Sequence, residues 1–572
     1  MASAIPLLAA PPKLNYLFPA GGQRGQTTAV TAAGEFANWP AQVWADRPGL
    51  TATCEADKGK LQIAVAADAA AGTYWLRLAD AEGASSLRPF VVGILPEVAE
   101  NEPNDTPDKP QVVSPGVVVN GKLQKGGDLD GFTVELQEGQ TLVAAVQAHS
   151  ILGSPLDSVL QVCELVERRN SGSQRVIVEA YPIEQNHDAI GLDPQIVFAA
   201  PQAGRYLVRL FAFPSEPNST IGFAGGETFV YRLTMTTGGY LDHVLPLALP
   251  REAAAVRLAG WNLPEGATSI EVSALVASDD PLQPPDGALD WVFHPEAAGA
   301  ASVNRCDGAA IDASEASSPK APQAVALPIV VSGRFEAADD ADAFSFAGKK
   351  DQKVRLTALA HGLGFLTDPH VSVLGEDGKV VGEADDTGRD QHDPELVVTL
   401  PADGTYRAVI RDLHGRSGLR LVYRLAIETP TPDFSVSLAA DSFVLAADKP
   451  LEIPLTVAGT DGFKGPVEIR AIGLPAGVSA DPLTIEPKAA GEAERGSGRR
   501  KGRRGGNSAA ASSNAKLVLK ADPATLQPGG GPIRIEVRYK NEAGDEIVRS
   551  ARFDLGQPLA GKHWAAWLTI KK

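Results

Sequence analysis

Oxygen-bearing side chains are concentrated in two short stretches of the chain, ENEPNDT at 100–106 and GDLDGF at 127–132. Oxygen side chains that alternate along an extended segment converge on one side. An acidic turn can then complete the shell of about six to eight oxygens that a hard cation such as Ca²⁺ prefers. The pattern predicts a calcium site, and the alternative is a solvated acidic linker whose Asn and Asp side chains cap turns. The candidate ligands are Glu100, Glu102, Asn104, Asp105, Asp128 and Asp130.

No other stretch carries a recognisable catalytic motif. The sequence has no H-E-x-x-H pair, G-x-S-x-G elbow, P-loop or dinucleotide-binding glycine motif. The acidic loop at 385–393 is expected to be a solvated turn. A Ser-His-Asp arrangement built by the fold stays open, because such triads are recognised by geometry. Four histidines without metal-ligand spacing are expected at the surface, namely His361, His370, His392 and His414.

Length and composition favour several small β domains. At 572 residues and roughly 100 to 200 residues per domain, the chain should hold about four or five units. Its 57 Gly and 43 Pro residues favour short strands joined by turns over long helices. The three cysteines, Cys54, Cys163 and Cys306, are too widely spaced to predict a disulfide framework or a cysteine zinc site.

The net charge of the chain disfavours anionic partners. Asp and Glu outnumber Lys and Arg by 70 to 52, giving a net charge of −18, which repels nucleic acid and anionic lipid. The exception is the basic run Arg499–Arg504, inside a Gly- and Ser-rich segment at 488–516 that we expect to be a disordered loop. This run could make a weak polyanion contact, or it is only a soluble insertion. No stretch approaches the roughly 18 apolar residues of a membrane helix, so no membrane span is expected.

Strand patterns recur along the whole chain. Alternating runs such as Leu61-Gln-Ile-Ala-Val and Tyr406-Arg-Ala-Val-Ile each predict a strand with one buried face. Trp564 and Trp567 would lie on opposite faces of a strand, so one of them is expected in the core. Persuasive helix-period segments are missing, and the sequence predicts an all-β fold.

The chain also repeats itself. GKLQKGGDLDGF at 121–132 aligns without a gap on GRFEAADDADAF at 333–344, and Asp193-Pro194 followed by Gly204-x-Tyr206 recurs 200 residues later. A fainter repeat relates residues 18–34 to 245–260. The predicted division is a small domain at 1–95, a large one at 97–237, a small one at 238–305, a large one at 306–430 and a C-terminal one at 431–572.

The first large domain resembles the bacterial pre-peptidase C-terminal (PPC) domain. The resemblance lies in ENEPNDT, GDLDGF, Asp193-Pro194 and the Gly-x-Tyr strand. That family is a β-sandwich appended to secreted peptidases, and a close relative is the calcium-dependent collagen-binding domain of clostridial collagenases. The resemblance implies that Glu100 to Asp105 and the acidic turn hold calcium. The second large domain is similar but lacks the acidic entry motif, since Ala-Ser-Glu-Ala-Ser-Ser-Pro runs from 313.

The first small domain, with LFPAGGQRG at 17–25, resembles IPT/TIG-type folds, and the C-terminal unit resembles Ig-like domains of bacterial surface proteins. The expected architecture is a tandem multi-domain chain of β-sandwiches, Ig-like and jelly-roll or PPC-like. We expect a non-catalytic, exported bacterial scaffold or binding protein, periplasmic, secreted or at the cell surface, whose partner is an extracellular protein or polysaccharide. The alternatives are an accessory or degenerate component of a secreted peptidase or hydrolase system, and a carbohydrate-binding protein.

Overall fold

The computed structural model describes residues 10–169, 176–214, 222–275, 280–283, 289–313, 317–388, 391–487, 511–541, 543–559 and 561–571. Over these residues the strands form ten sheets in five consecutive pairs, with one further two-stranded ribbon. The regular helical structure described is one turn of α-helix, α1 at His149–Leu152, and one 3₁₀ turn at His361–Leu363. The fold is therefore all-β, as the alternating sequence patterns predict.

The first small module consists of a four-stranded sheet, β1-β3-β6-β5, and a five-stranded sheet, β2-β9-β7-β4 with β8 paired to β7. Its strands are β1 Lys13–Phe18, β2 Gly21–Gln23, β3 Thr27–Glu35, β4 Gln42–Ala45, β5 Leu50–Cys54, β6 Lys60–Val65, β7 Gly72–Asp80, β8 Gly83–Ala84 and β9 Arg88–Gly93. Alternate residues such as Leu61, Ile63 and Val65 of β6 are buried between the sheets.

The first large module is a sandwich of two five-stranded sheets, β10-β12-β19-β14-β17 and β11-β13-β18-β15-β16. Its strands are β10 Glu97–Ala99, β11 Gln111–Val112, β12 Val117–Lys122, β13 Asp130–Leu136, β14 Thr141–Gln147, β15 Leu156–Arg169, β16 Val176–Asn186, β17 Gln195–Ala199, β18 Gly204–Pro214 and β19 Val230–Thr236. Side chains from both sheets, including Phe132, Leu142 and Leu233, share one buried core.

The second small module repeats the plan of the first with fewer described strands, β23-β22-β20-β25 and β21-β26-β24. Its strands are β20 Gly239–Leu245, β21 Ala248–Leu249, β22 Ala254–Trp261, β23 Ser269–Val272, β24 Leu289–Val292, β25 Ala297–Ala298 and β26 Ala301–Arg305. In both small modules the first strand carries a β-bulge at the same place, between Leu14 and Tyr16 in β1 and between Leu241 and His243 in β20.

The second large module has the strand order of the first, β27-β29-β36-β31-β34 and β28-β30-β35-β32-β33. Its strands are β27 Ala309–Asp312, β28 Gln323–Ala324, β29 Ile329–Arg334, β30 Ala341–Gly348, β31 Lys353–Leu359, β32 Pro369–Leu374, β33 Val380–Ala384, β34 Glu395–Thr399, β35 Gly404–Asp412 and β36 Val422–Glu428. The repeated aspartates have one structural role. Asp193 accepts the backbone N–H groups of residues 148–150, and Asp393 those of residues 360–362.

The C-terminal module pairs the sheets β37-β39-β43-β41 and β38-β48-β44-β40-β42. Its strands are β37 Asp433–Leu438, β38 Ser442–Ala446, β39 Leu451–Thr460, β40 Val467–Ile472, β41 Val478–Ala480, β42 Leu483–Ile485, β43 Ala511–Ala521, β44 Gly529–Lys540, β45 Glu546–Ser550, β46 Phe553–Asp554, β47 Lys562–His563 and β48 Ala566–Lys571. Trp567 is buried and Trp564 is partly exposed, so one of the two tryptophans is in the core as expected.

The predicted loop at 488–516 is wrong over its last six residues. Residues 511–516 are the first half of β43, which pairs with β39 from Gly459 to Pro454. The small polar side chains of this stretch do not alternate with apolar ones, so the sequence does not indicate a strand there. Backbone pairing with β39, about fifty residues earlier, forms the strand. Residues 488–510, with the basic run Arg499–Arg504, lie outside the described residues.

The first module is in contact with the C-terminal module. Arg77 of β7, which is fully buried, donates to the carbonyl oxygens of Asp441 (3.1 Å) and Ala565 (3.0 Å) of the C-terminal module. Its guanidinium lies 5.8 Å from the rings of both Trp44 and Trp567. The five modules therefore fold back on one another and do not form an open rod.

Candidate metal centre

Two sheets of the first large module bring the acidic segments to one end of the sandwich. The segment after β10 is held to β12, because the Glu100 N–H donates to the Asn120 carbonyl (2.9 Å) and the Lys122 N–H donates to Glu100 Oε2 (2.6 Å). Asp130 is the first residue of β13 in the facing sheet, and Asp128 lies in the turn before it. The two stretches therefore meet across the sandwich and not along one strand.

The structure gathers five of the six predicted ligands into two overlapping groups. Carboxylate oxygens of Glu100, Glu102 and Asp130 lie within 4.8 Å of one another. So do carboxylate oxygens of Glu102, Asp105 and Asp128, which makes Glu102 common to both groups. The sixth predicted ligand, Asn104, lies on the same segment.

Most of these side chains have a buried oxygen atom without a hydrogen-bond partner. The orphaned oxygens are Glu100 Oε1, Asn104 Oδ1, Asp105 Oδ1, Asp128 Oδ1 and Asp130 Oδ1. When one of the Glu100 and Asp130 carboxyls is protonated, these two side chains share a hydrogen bond. Asn104, Asp128 and Asp130 are themselves fully buried. An unsatisfied buried acceptor costs about 1–3 kcal/mol, and more when it is charged. Five such atoms on neighbouring side chains are the set that a hard, oxygen-preferring cation would satisfy.

The second oxygen of each buried carboxylate is held by the protein. The Tyr231 hydroxyl donates to Asp130 Oδ2 at 2.5 Å, and the Gln124 N–H donates to Asp128 Oδ2. The Asn104 N–H donates to Glu102 Oε2 at 3.0 Å. These bonds orient the carboxylates and leave the other oxygen free, which is how outer residues usually position metal ligands.

Burial and the neighbouring carboxylates raise the pKa values of two of these carboxyl groups. Burial, then the neighbouring Glu100, raises the pKa of Asp130 to about 10. Burial, with Glu102 and Asp128 nearby, raises the pKa of Glu100 to about 7. The one ion pair described for the cluster is weak, because Lys125 Nζ lies 4.0 Å from Asp105 Oδ2 and its side chain is 70% exposed.

Without a bound cation, the first large module is expected to lose stability as the pH rises. Because these pKa values are raised, the folded state keeps protons that the unfolded chain releases. The free energy of unfolding therefore falls as the pH rises from the pKa of the group in the unfolded chain to its pKa in the folded state. For Glu100 this window runs from 4.5 to about 7, and for Asp130 from 3.8 to about 10. Urea unfolding in a chelator between about pH 5 and pH 9 measures the decline, and Glu100→Gln should flatten its lower half. Constant or rising stability across this window would contradict the electrostatics described.

The second large module contains a depleted copy of the cluster. The Tyr423 hydroxyl donates to Asp342 Oδ2 (2.6 Å), and the Glu336 N–H donates to Asp340 Oδ2 (2.9 Å), as their counterparts do in the first module. The position of Glu100 is taken by Ala313, whose N–H donates to the Ser332 carbonyl. A methyl group thus replaces the carboxylate, and the expectation of a weaker or absent site here stays a prediction.

Three of the four singled-out histidines contact carboxylates near the surface. His392 groups with Asp368 and Asp386 within 4.8 Å, but the side chains of His392 and Asp386 are 43% and 45% exposed. His414 lies 3.2 Å from Asp368, and His370 lies 3.6 Å from Glu383. Exposed groups of this kind are usual in solvated loops, and they carry no further conclusion.

Sequence reasoning missed a buried Asp–His pair. His243 Nδ1 lies 2.8 Å from Asp242 Oδ2, and the two side chains are 4% and 1% exposed. Strand alternation alone would place neighbouring residues on opposite faces, and the bulge in β20 removes that alternation at this point. Because His243 Nε2 has no hydrogen-bond partner in the described part of the chain, the pair is not completed by a serine hydroxyl.

No family model matches the chain, and no curated protein is similar to it. Among solved structures, the PPC domain of a Bacillus anthracis collagenase is 14% identical, with a TM-score of 0.15, and is covered completely by 24% of this chain. The insect immune protein hemolin is 12% identical with a TM-score of 0.20, over 98% of this chain and all of hemolin. A Bacteroides ovatus glucan-utilisation protein, SGBP-B, solved with a mixed-linkage heptasaccharide, is 8% identical with a TM-score of 0.13, over 72% of this chain and 73% of that one.

The paired sheets define a multi-domain β-sandwich protein. Within the described residues, no helix has both the length and the apolar character needed to cross a membrane.

Proposed function

We propose that this chain is a non-catalytic, exported bacterial scaffold or binding protein whose first large module is braced by Ca²⁺. The observation that carries the calcium clause is the set of five orphaned buried oxygens on the predicted ligands. The orphaned carboxylate oxygens belong to Glu100, Asp105, Asp128 and Asp130, and the orphaned amide oxygen belongs to Asn104. Glu102 is the residue shared by the two groups whose carboxylate oxygens lie within 4.8 Å of one another. This donor set is all oxygen, which suits calcium better than transition metals.

Calcium at this position would tie the connection between two modules to the sandwich. The ligand segment follows β10, the first strand after the short link from β9. The cluster borders a cavity of about 300 Å³ whose lining includes Phe18, Glu100, Glu102 and Lys122. Phe18 belongs to the first small module, and the Lys122 ammonium lies 4.7 Å from its ring. Metal binding would therefore stiffen the junction of the first two modules.

Titration calorimetry of the intact, metal-free chain with Ca²⁺ tests the site. We expect one site per chain with a dissociation constant in the millimolar range or tighter, and Glu100→Gln with Asp128→Asn should abolish it. The matched control is Asp340→Asn, which changes the counterpart of Asp128 in the second large module and should leave binding unchanged. No binding up to millimolar Ca²⁺, or equal binding by the double variant, would refute the calcium clause.

An exposed aromatic patch beside the metal cluster supports a binding role. Phe213 and Phe223 are 40% and 38% exposed, their ring centroids lie 5.8 Å apart, and the Phe223 ring also packs on Phe211 at 4.6 Å. The Gly127 N–H donates to the Phe223 carbonyl (3.1 Å), so the acidic turn and the patch are joined. Exposed aromatic clusters mark interaction surfaces, and rings stack on apolar side chains or on sugar faces.

Carbohydrate binding is the second candidate function, and the same patch favours it. A glycan array probed with the wild-type chain and with Phe213→Ser separates the two kinds of partner. Glycan signals that the substitution removes would identify a polysaccharide ligand. A silent array would favour an extracellular protein as the partner.

The remaining alternative is an accessory or degenerate component of a secreted peptidase or hydrolase system. Digests of casein and collagen, analysed by mass spectrometry, test whether the chain itself cleaves protein. Cleavage above a blank would overturn the non-catalytic proposal.

A further inference from the structure

The hairpin of β15 and β16 extends beyond the sandwich of the first large module. β15 pairs with β18 only as far as Glu164, and in the described part of the chain residues 165–169 pair only with residues 176–180 of β16. On β15 the shared core of the module ends at Val162. Residues 165–169 and 176–180 therefore form a two-stranded arm outside the core. A two-stranded hairpin is marginally stable by itself in water, so the arm gains stability from a surface that covers it.

The second large module shows that the sandwich does not require this arm. β32 and β33 hold the same places in the same strand order, but they have 6 and 5 residues, whereas β15 and β16 have 14 and 11. Val371 and Val373 of β32 lie in the core of that module, and Val381 of β33 packs against it. The longer hairpin is therefore an addition to the first large module.

β16 exposes apolar side chains along a free sheet edge. It is the last strand of its sheet, so its outer edge has no partner strand among the described residues. Val176, Ile177, Tyr181 and Ile183 of this strand are between 41% and 46% exposed. An apolar edge strand is a template for pairing with another strand, and proteins usually protect such edges with charges or a covering segment.

The charges of this hairpin are nearly balanced, unlike those of the chain as a whole. Residues 164–186 contain four acidic and three basic residues, a net charge of −1, whereas the whole chain carries −18. Arg168 Nε lies 2.9 Å from Glu179, and another nitrogen of Arg168 donates to the Tyr181 hydroxyl. A strongly charged partner gains little from such a surface, and two copies of it can approach with little mutual repulsion.

A second copy of the same edge also fits the geometry. Two identical edge strands related by a two-fold axis run antiparallel, and an isologous contact of this kind closes at a dimer. Each copy supplies the same unpaired backbone edge and the same apolar side chains. Pairing would join the two five-stranded sheets into one continuous sheet.

We propose that this chain forms a weak symmetric dimer through antiparallel pairing of β16 with β16 of a second copy. The contact involves few residues compared with the roughly 20–30 residues a side of a standard interface. We therefore expect a dissociation constant of roughly 1–100 μM. The dimer does not depend on the proposed calcium site.

Sedimentation equilibrium of the intact chain between roughly 1 and 200 μM protein tests the dimer. In about 0.15 M salt, where distant charges are screened, we expect a reversible monomer–dimer equilibrium. Ile177→Lys combined with Tyr181→Lys should weaken it at least about tenfold, because lysines protect an edge strand and repel one another across the two-fold axis. The matched control is Val380→Lys, at a side chain that is 56% exposed in the counterpart strand β33, which should leave the dimer unchanged.

Hydrogen exchange at low and high protein concentration locates the contact. Backbone amides in residues 176–181 should exchange more slowly where the dimer forms, because strand pairing gives them hydrogen-bond acceptors. A chain that stays monomeric over this range, association that continues beyond the dimer, or a dimer that the double lysine variant leaves unchanged would overturn the proposal. So would a dimer in which exchange at β16 is unaltered.

Discussion

Saturating the metal-free protein with Ca²⁺ is expected to raise the unfolding temperature of its first large module by roughly 5 to 10 °C. A ligand that binds only the folded state adds about 2.7 kcal/mol at 100 times its dissociation constant. For a module of this size, that free energy corresponds to a shift of several degrees. The physical cause is that the cation satisfies the orphaned oxygens and compensates the negative charge that Glu100 and Asp130 acquire when they release their protons on binding it. Calorimetric scans with Ca²⁺ and with a chelator measure the shift.

Asp130→Asn separates this mechanism from a general salt effect. In a chelator near neutral pH the variant should be at least as stable as the wild type, because the raised pKa of Asp130 means that this carboxyl is already protonated. Its response to Ca²⁺ should be lost. The control is Asp342→Asn, which alters the equivalent Asp–Tyr pair of the second large module. If the rise in unfolding temperature with Ca²⁺ persists in Asp130→Asn, or is also lost in Asp342→Asn, calcium does not act through the cluster around Asp130.

Arg77→Ala is expected to destabilise the contact between the first and last modules by about 3 kcal/mol or more. The substitution removes both hydrogen bonds to the C-terminal module and the ion-pair partner of Asp441 Oδ2 at 3.8 Å. It also removes the guanidinium that lies 5.8 Å from the rings of both Trp44 and Trp567. Urea unfolding followed by tryptophan fluorescence measures the loss, and X-ray scattering should show an expanded chain if the modules separate.

Lys571→Ala is the matched control for this contact. Lys571 forms an ion pair with Glu82 across the same interface, but the two side chains are 29% and 21% exposed. Such partly solvated pairs contribute little, so the variant should lose less than about 1 kcal/mol. If Arg77→Ala costs no more than Lys571→Ala, the closure of the chain does not depend on the buried guanidinium.

These contacts suit a binding protein in which separate sandwiches act as one framework. The first module and the C-terminal module meet at Arg77, and calcium would brace the link between the first two modules. The aromatic patch at Phe213 and Phe223 lies beside that braced turn. A partner that docks there would contact the aromatic patch and the acidic turn together.

Sequence alone was sufficient for the strands and for much of the candidate metal site. Alternation is a local property, so runs such as residues 61–65 reveal a buried face without knowledge of the partner strand. The candidate ligands from Glu100 to Asp105 are close in sequence, and the pattern of oxygen side chains was enough to single them out. The same reasoning failed at residues 511–516, where small polar side chains carry no alternation and pairing with β39 makes the strand.

Tertiary structure decided which distant groups meet. Glu100 and Asp130 come from facing sheets, so their approach depends on how the sandwich packs and not on their spacing. Asp242 and His243 form a buried pair because a bulge cancels strand alternation, and Arg420 joins them from another module. Arg77 finds its partners 364 and 488 residues away. The sequence by itself determined local strand periodicity and local ligand chemistry, whereas contacts between sheets and modules were set by packing over the whole chain.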